Sequence, residues 1–412
     1  MARRNQRKKN PQIKLSAKAL IIVLVLCIAL VACYVFVPPV KTFVDGVLKP
    51  STAPSVTPSP SPTAQPSVNP SLLPSVPPSV VPSVQPSLLP SAQPSVVPSA
   101  QPSTQPSIIP SVGQNGTEDL RVHFIDVGQG DSIYIEFPDG TNMLIDGGDK
   151  EFDDEVQTYL TDLEVTTISY LLVTHYDADH IGGLDEVFGY TVVEKVYLPT
   201  VGEGEITTNA YEDLLTAVAN ENCEVIESKM GTQILSTDTD NQFRLLWLSP
   251  DDEDLAEVDN EGPNPDSLDK NNISPIMLLE YQDKQIVFTG DANVTVERDV
   301  LERFQEGFYG DITLTDVEVL KAGHHGSNGT GSTTQIKSGS SCQEFLDTLS
   351  PEYFIISVGE GNNHGHPHQP VIDRAEGVGA EIYRTDYHGN IIVTVRADAT
   401  LPVEIYTSVQ AG

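Results

Sequence analysis

Thr174-His175-Tyr176-Asp177-Ala178-Asp179-His180-Ile181-Gly182-Gly183-Leu184 sets two histidines and two aspartates within six residues, directly behind the apolar run 168–173. The run reads as a buried strand, and the paired glycines read as a turn into a following helix. His175 and Asp177, at i and i+2, reach one ion from an extended or tightly turned backbone, while Asp179 and His180 reach a second ion close by. An aspartate ahead of a helix is commonly a plain cap. Two histidines and a glycine turn in the same stretch favour half of a metal site, placed at the C-terminal end of a strand in a layered α/β scaffold.

Outward from this stretch, strand patterns at 121–127, 132–137 and 142–145 end in Gly-Gln-Gly-Asp, Pro-Asp-Gly and Asp-Gly-Gly-Asp turns. Helical patterns at 153–163, near 184 and at 211–219 alternate with strands at 192–198, near 225 and at 243–248. Residues 251–269 are acidic and turn-rich and read as a surface loop. Strands at 276–281 and 285–289 lead to Gly290-Asp291, and a helical pattern at 293–304 follows. A strand at 353–357 precedes Gly365-His366-Pro367-His368, and 390–395 reads as the closing strand. The alternation alone points to an α/β fold.

The first part of the chain is of another kind. Residues 1–18 are basic and 19–37 are uncharged and apolar; a helix over that run is about 28 Å long, close to a bilayer's hydrocarbon core. Residues 19–40 therefore read as a signal anchor that keeps the basic flank inside and the remainder outside the cell. Leu30-Val31-Ala32-Cys33 resembles a lipobox, which offers a lipoprotein anchored at Cys33 as the alternative. Pro-Ser-x-x repeats over 66–112 forbid helix and sheet, so 41–118 reads as a Pro/Ser-rich linker. At ~3.1 Å per residue its 51–112 portion extends to about 190 Å, enough for association with a cell wall. The globular domain is left with 119–412.

Beyond residue 50 the chain has 14 basic and 57 acidic residues, a formal charge of 14 − 57 = −43. So acidic a domain repels nucleic acid backbones at long range, and bound divalent cations offset part of that charge. Cys223 and Cys342 lack the paired spacing of a disulfide framework or a thiolate zinc site.

His175-x-Asp177-x-Asp179-His180, together with Val127-Gly128-Gln129-Gly130-Asp131-Ser132, Ile145-Asp146-Gly147-Gly148, Thr289-Gly290-Asp291 and His324-His325-Gly326-Ser327, resembles the metallo-β-lactamase superfamily. Within it, the set is similar to the extracytoplasmic hydrolase domain of ComEC-type competence DNA-uptake proteins. Asp177 departs from the superfamily's HxHxDH pattern by replacing its middle histidine. The resemblance covers residues 120–397 and implies a four-layer αββα fold. It implies two divalent ions, Zn²⁺ or Mn²⁺, held by His175, Asp177, Asp179, His180, Asp291 as the bridging carboxylate, and His324 or His325. Asp146 is then the support of the metal-binding loop, and Asp131, Asn272, Ser274 and Ser327 fall in supporting blocks.

No histidine lies between His180 and His324, although the superfamily places one there. One metal position is therefore expected to be poorer in nitrogen and richer in carboxylate and water, which favours Mn²⁺ or Mg²⁺ more than a histidine-rich set does. The activity implied is that of a cell-surface phosphodiesterase or nuclease acting on extracellular DNA through a metal-activated hydroxide. Asp179 is expected to orient the water, and His366 to assist the leaving oxygen. Hydrolysis of wall teichoic acid or small phosphoesters is the alternative enzymatic reading, and a non-catalytic wall-binding or adhesion module is the alternative of another class. β-Lactam hydrolysis fits Asp177 and the HHGS and GHP blocks less well. No obligate protein partner is evident.

Overall fold

The computed structural model describes residues 118–409 apart from 202–205, 239–241, 252–269 and 330–338. The basic segment 1–18, the anchor 19–40, the linker 41–118 save Glu118, and the acidic loop save Asp251 lie outside the described residues. Among the described residues no helix is long and apolar enough to cross a membrane.

In chain order the strands are β1 (Leu120–Phe124), β2 (Ile133–Glu136), β3 (Asn142–Ile145), β4 (Thr167–Leu172), β5 (Val192–Leu198), β6 (Glu224–Glu227), β7 (Gln233–Leu235) and β8 (Phe243–Trp247). They continue as β9 (Met277–Tyr281), β10 (Lys284–Phe288), β11 (Val319–Lys321), β12 (Tyr353–Ile356), β13 (Glu381–Arg384), β14 (Ile391–Val395) and β15 (Glu404–Thr407). One sheet has the order β15-β14-β1-β2-β3-β4-β5-β6, the other β13-β12-β11-β10-β9-β8-β7.

Alternation decides which side chain goes where. Ile133 and Ile135 of β2 join a core shared by both sheets, while Tyr134 joins the core on the outer face. In β10, Ile286 and Phe288 face the shared core and Val287 the outer one. Apolar residues on both faces at a period of two are what a sheet covered on both sides requires. The shared core includes Phe124, Met143, Trp247 and Phe288, with Phe137 and Phe243 stacked at 4.2 Å between ring centroids. Each such buried side chain contributes about 1.5–3 kcal/mol, so the contact between the sheets holds the frame.

Helices cover both outer faces. α1 (Asp153–Asp162), α2 (Ala178–Ile181), α3 (Leu184–Tyr190) and α4 (Asn209–Glu221) bury Leu160, Ile181, Val187 and Leu214 against the first sheet. α5 (Val294–Gln305), α6 (Gln343–Leu349) and α7 (Gln369–Gly377) bury Val300, Phe345 and Val371 against the second. Caps set the ends: the Asn293 side chain accepts the Thr295 N–H at the start of α5, and α4 stops where Asn222 turns left-handed, at φ 58°. The layers run helix, sheet, sheet, helix.

Two strands correct the expectation from sequence. β7 has only three residues, too few to show a period, and β15 follows 390–395, so that segment is not the closing strand. As an edge strand, β15 pairs only with β14 and carries Glu404 and Tyr406 on its exposed side, which weakens its apolar signal.

β3 and β4 run parallel, as do β10, β11 and β12. The C-terminal ends of these strands release Asp146, the 174–184 stretch, Asp291, His324-His325 and Ser357.

Candidate metal centre

Asp146 follows β3 with φ 56°, a left-handed conformation that a short polar side chain tolerates better than most. Its buried carboxylate accepts the Thr174 N–H at 2.9 Å on Oδ1, and on Oδ2 the Thr174 O–H at 2.6 Å and the His180 Nδ1–H at 2.7 Å. With Nδ1 donating, His180 presents the lone pair of Nε2. His175 Nδ1 stands 3.1 Å from Thr174 Oγ1 and 3.3 Å from Ser274 Oγ, and its Nε2 is buried with no hydrogen-bond partner. His325 Nδ1–H donates to Ser357 O at 3.0 Å, which turns its Nε2 to the same point.

Asp291 lies between the two halves. Oδ1 is 3.3 Å from His180 Nε2 and 3.6 Å from His325 Nε2; Oδ2 is 3.6 Å from His324 Nε2 and 3.9 Å from His175 Nε2. Asp179 Oδ2 is 3.4 Å from His325 Nε2, and Asp177 Oδ2 is 3.7 Å from His175 Nε2. Charge-assisted hydrogen bonds are shorter, at about 2.7–2.9 Å. Ligands about 2.0–2.2 Å from a tetrahedral ion stand about 3.3–3.6 Å from one another. The spacing, and the unpartnered His175 Nε2 and Asp291 Oδ1, fit ligation.

The donors fall into two sets. Asp179, His180 and His325, whose ligand atoms lie within 4.8 Å of one another, share Asp291 Oδ1. His175 and His324 face Oδ2, Asp177 meets His175, and His175 also groups with His180 and Asp291; the Asp177 and His324 side chains are 46% and 28% exposed. For the expected nitrogen-poor position the structure adds one imidazole near Asp291 Oδ2, that of His324 at 3.6 Å. His324 and His325 both have positive φ, 44° and 52°, and this turns neighbouring imidazoles to different oxygens of Asp291. Each set has two imidazoles, and the empty stretch 181–323 is no gap in space. Such mixed nitrogen and oxygen sets suit Zn²⁺ as well as Mn²⁺.

The supporting residues divide differently from expectation. Ser274 Oγ accepts the Asp291 N–H at 3.2 Å. Asn271, not Asn272, meets His324, with its amide nitrogen Nδ2 3.0 Å from Nδ1; a half-turn of the amide puts the oxygen there, to accept Nδ1–H and leave the Nε2 lone pair free. Asn272 Oδ1 is buried without a partner. Ser327 Oγ accepts the Gly329 N–H and so holds its own turn. His366 stands beside the centre, its ring 5.5 Å from that of His324 and 6.4 Å from that of His325. Sequence reasoning missed Thr174, Asn271, Ser357 and Lys321. Only Lys321 left a signal, a charge ending an apolar strand; it is paired at 2.8 Å with Asp131.

Charge at the centre is shared within it. Burial pushes the Asp291 carboxyl up, but His325, His180 and His324 hold it well below the usual carboxylate range. Burial acts likewise on Asp179, and His325 and His180 outweigh it to keep it low. Burial opposes charge on His180, yet Asp291 and Asp146 raise it well above an ordinary imidazole. His325 is raised against burial by Asp291 and Asp179, whereas burial lowers His324 in spite of Asp291.

Asp146→Asn tests the orientation of His180. Asparagine keeps the shape and tolerates the left-handed backbone, but loses the anionic acceptor. Metal affinity is expected to drop about 10–100-fold with the fold retained, measured by competition with a chelator. A change under about twofold would show that Asp146 does not set the ring.

Residues 125–330, half of the chain, match the family described as the Metallo-beta-lactamase superfamily. The chain belongs to that superfamily. Among curated members, it is similar to "ComE operon protein 3" of Bacillus subtilis (strain 168), 29% identical over 287 residues that make up 66% of this chain and 32% of the relative. It is also similar to "Competence protein ComA" of Neisseria gonorrhoeae, 29% identical over 123 residues, 30% of this chain and 15% of that one. The chain spans about a third or less of the length of these curated relatives. Among solved structures, the diiron β-hydroxylase CmlA from Streptomyces venezuelae aligns at 16% identity and a TM-score of 0.40, covering 68% of this metallo-β-lactamase-superfamily chain and 55% of its own.

Proposed function

We propose that this protein is a two-metal phosphodiesterase of the ComEC type, held outside the cell by its N-terminal segment and acting on DNA. The observation that carries the reading is the placement of Asp291, whose Oδ1 faces the His180 and His325 imidazoles and whose Oδ2 faces those of His324 and His175. The competence names of two relatives favour DNA as the substrate.

His175, Asp179, His180, Asp291, His324 and His325 would hold the divalent ions, which when bound would supply an activated water and positive charge for the phosphoryl oxygens. Asp179, kept anionic and 32% exposed at its side chain, accepts a hydrogen bond from the attacking water and orients it. Asp146, Thr174, Ser274 and Ser357 keep the imidazoles from turning. Burial and the neighbouring imidazoles hold His366 at about 3. It therefore acts near pH 7 as a neutral imidazole, donating a hydrogen bond to a phosphate or leaving oxygen.

The charge of −43 beyond residue 50 supports a second reading, hydrolysis of wall or small phosphoesters. Several described cations are taken up by the domain's own carboxylates, as in Arg244 with Glu280 and Lys150 with Asp185. The test is the full chain loaded with Mn²⁺ or Zn²⁺ and assayed on bis(p-nitrophenyl) phosphate, single-stranded DNA, teichoic acid and nitrocefin. Turnover of the first two is expected. Turnover of nitrocefin alone would remove the phosphodiesterase reading, and preference for teichoic acid would replace DNA.

Metal binding is also expected to depend on pH. The raised His180 and His325 carry protons in the metal-free protein, and ligation needs them neutral. Loading therefore releases protons, and affinity rises with pH until both imidazoles are neutral in the free protein. Calorimetric Zn²⁺ titrations at pH 7 in buffers of different ionisation enthalpy count the released protons. A count of zero would show neutral imidazoles before loading.

A further inference from the structure

Beside the metal ligands lies an ion pair to which the proposed reaction gives no task. Lys321 ends β11 in the second sheet with its side chain fully buried. Its ammonium is 2.8 Å from Asp131 Oδ2 and donates to Ala322 O at 2.8 Å. Asp131 comes from the loop between β1 and β2 of the first sheet and is also buried. Its backbone joins two further loops: Asp131 N–H donates to Asp179 O at 3.2 Å, and Gly148 N–H donates to Asp131 O at 2.8 Å.

Asp131 is within reach of the ligands. Its Oδ1 is buried with no hydrogen-bond partner, 3.5 Å from His325 Nδ1. Ligand atoms of Asp131, Asp291 and His325 lie within 4.8 Å of one another, and so do those of Asp131, Asp146 and His180. Asp131 is as near His325 as Asp179 is, but it faces Nδ1, which donates to Ser357 O, whereas Asp179 faces Nε2. The ammonium on its other oxygen sets it apart. A buried carboxylate needs its charge matched nearby, and here that is done by a cation tethered to the chain.

We propose that the Lys321 ammonium serves as a fixed third cation, which satisfies Asp131, withholds it from ligation and limits the centre to two divalent ions. The inference rests on the two-ion reading above. The charges agree with it: the five carboxylates of Asp131, Asp146, Asp177, Asp179 and Asp291 balance two divalent ions and one ammonium. Near-neutrality is the least costly state for a buried ionic cluster.

The test counts Mn²⁺ bound by the full chain, by elemental analysis and calorimetric titration, in the wild type, Lys321→Ala, Lys321→Met and the double variant Lys321→Met/Asp131→Asn. The wild type is expected to hold two ions. Lys321→Ala leaves room beside Asp131 Oδ2 and Ala322 O and takes up a third. Lys321→Met fills the stem's volume but leaves Asp131 uncompensated, which tightens the weaker ion by about tenfold or more. It also carries the test should the alanine variant not fold. The double variant removes both charges together, and it is expected to hold two ions with affinities within about threefold of wild type. Metal loss in both single variants, unrestored in the double variant, overturns the proposal and leaves the pair a link between sheets. Two ions at unchanged affinity in Lys321→Ala overturn it as well. Fewer than two ions in the wild type would remove the two-ion reading itself, a result distinct from any failure confined to the variants.

Discussion

Asp291→Ala is expected to lose the metal ions of the proposed centre and to abolish hydrolysis of bis(p-nitrophenyl) phosphate, with a loss of at least about 10³-fold in kcat/KM. No other side chain among the described residues is placed between both donor sets with one oxygen for each. Its removal also takes from His180 and His325 the carboxylate that does most to raise them, while these two buried imidazoles face each other with Nε2 atoms 3.3 Å apart. The strands that carry the centre are held by the core between the sheets, so circular dichroism should stay that of the wild type. Asp291→Asn, which keeps one oxygen and the side-chain volume, is expected to lie between the two in metal content. An Asp291→Ala protein that keeps two ions and its rate would show that the carboxylate bridges nothing.

Gly130→Ala is expected to damage the centre almost as much without touching a ligand. Gly130 has φ 141°, and a Cβ there would lie 2.2 Å from the carbonyl oxygen of Asp179, a backbone atom that no rotamer change can move aside. The Asp131 N–H to Asp179 O bond beside it joins the same two loops. The metal loop must shift, and a displacement of about 1 Å at a reacting centre costs about 10²-fold in rate. Metal affinity is expected to drop with it, while thermal unfolding shows a loss of about 1–3 kcal/mol from strain and the broken contact. Gly140→Ala is the control, since Gly140 also has positive φ but no heavy atom within 4 Å of the added Cβ. Equal effects at the two positions would reduce the Gly130 result to backbone strain alone.

Residue type and spacing already announced a good part of this molecule. The strand patterns at 142–145 and 192–198 coincide with β3 and β5 to the residue, and His175, Asp179, His180, Asp291 and His325 fall in groups whose ligand atoms lie within 4.8 Å of one another. Periodicity is a local property, set by the pleat and by which faces are buried, so it survives in a one-dimensional reading. The same reading left β15 unseen, because half of an edge strand's pattern is polar.

It also left open which histidine of the 324–325 pair reaches the centre. Two successive left-handed residues turn both rings inward, and no pattern in residue types encodes that turn. In the same way Asn271 rather than Asn272 meets His324, and Lys321 finds Asp131 across 190 positions of chain. Which atoms can ligate follows from side-chain chemistry and is written in the chain. Which oxygen each imidazole faces, and which carboxylate is given a lysine instead of a metal, depends on how two sheets folded from distant segments pack face to face, and only that packing decides it.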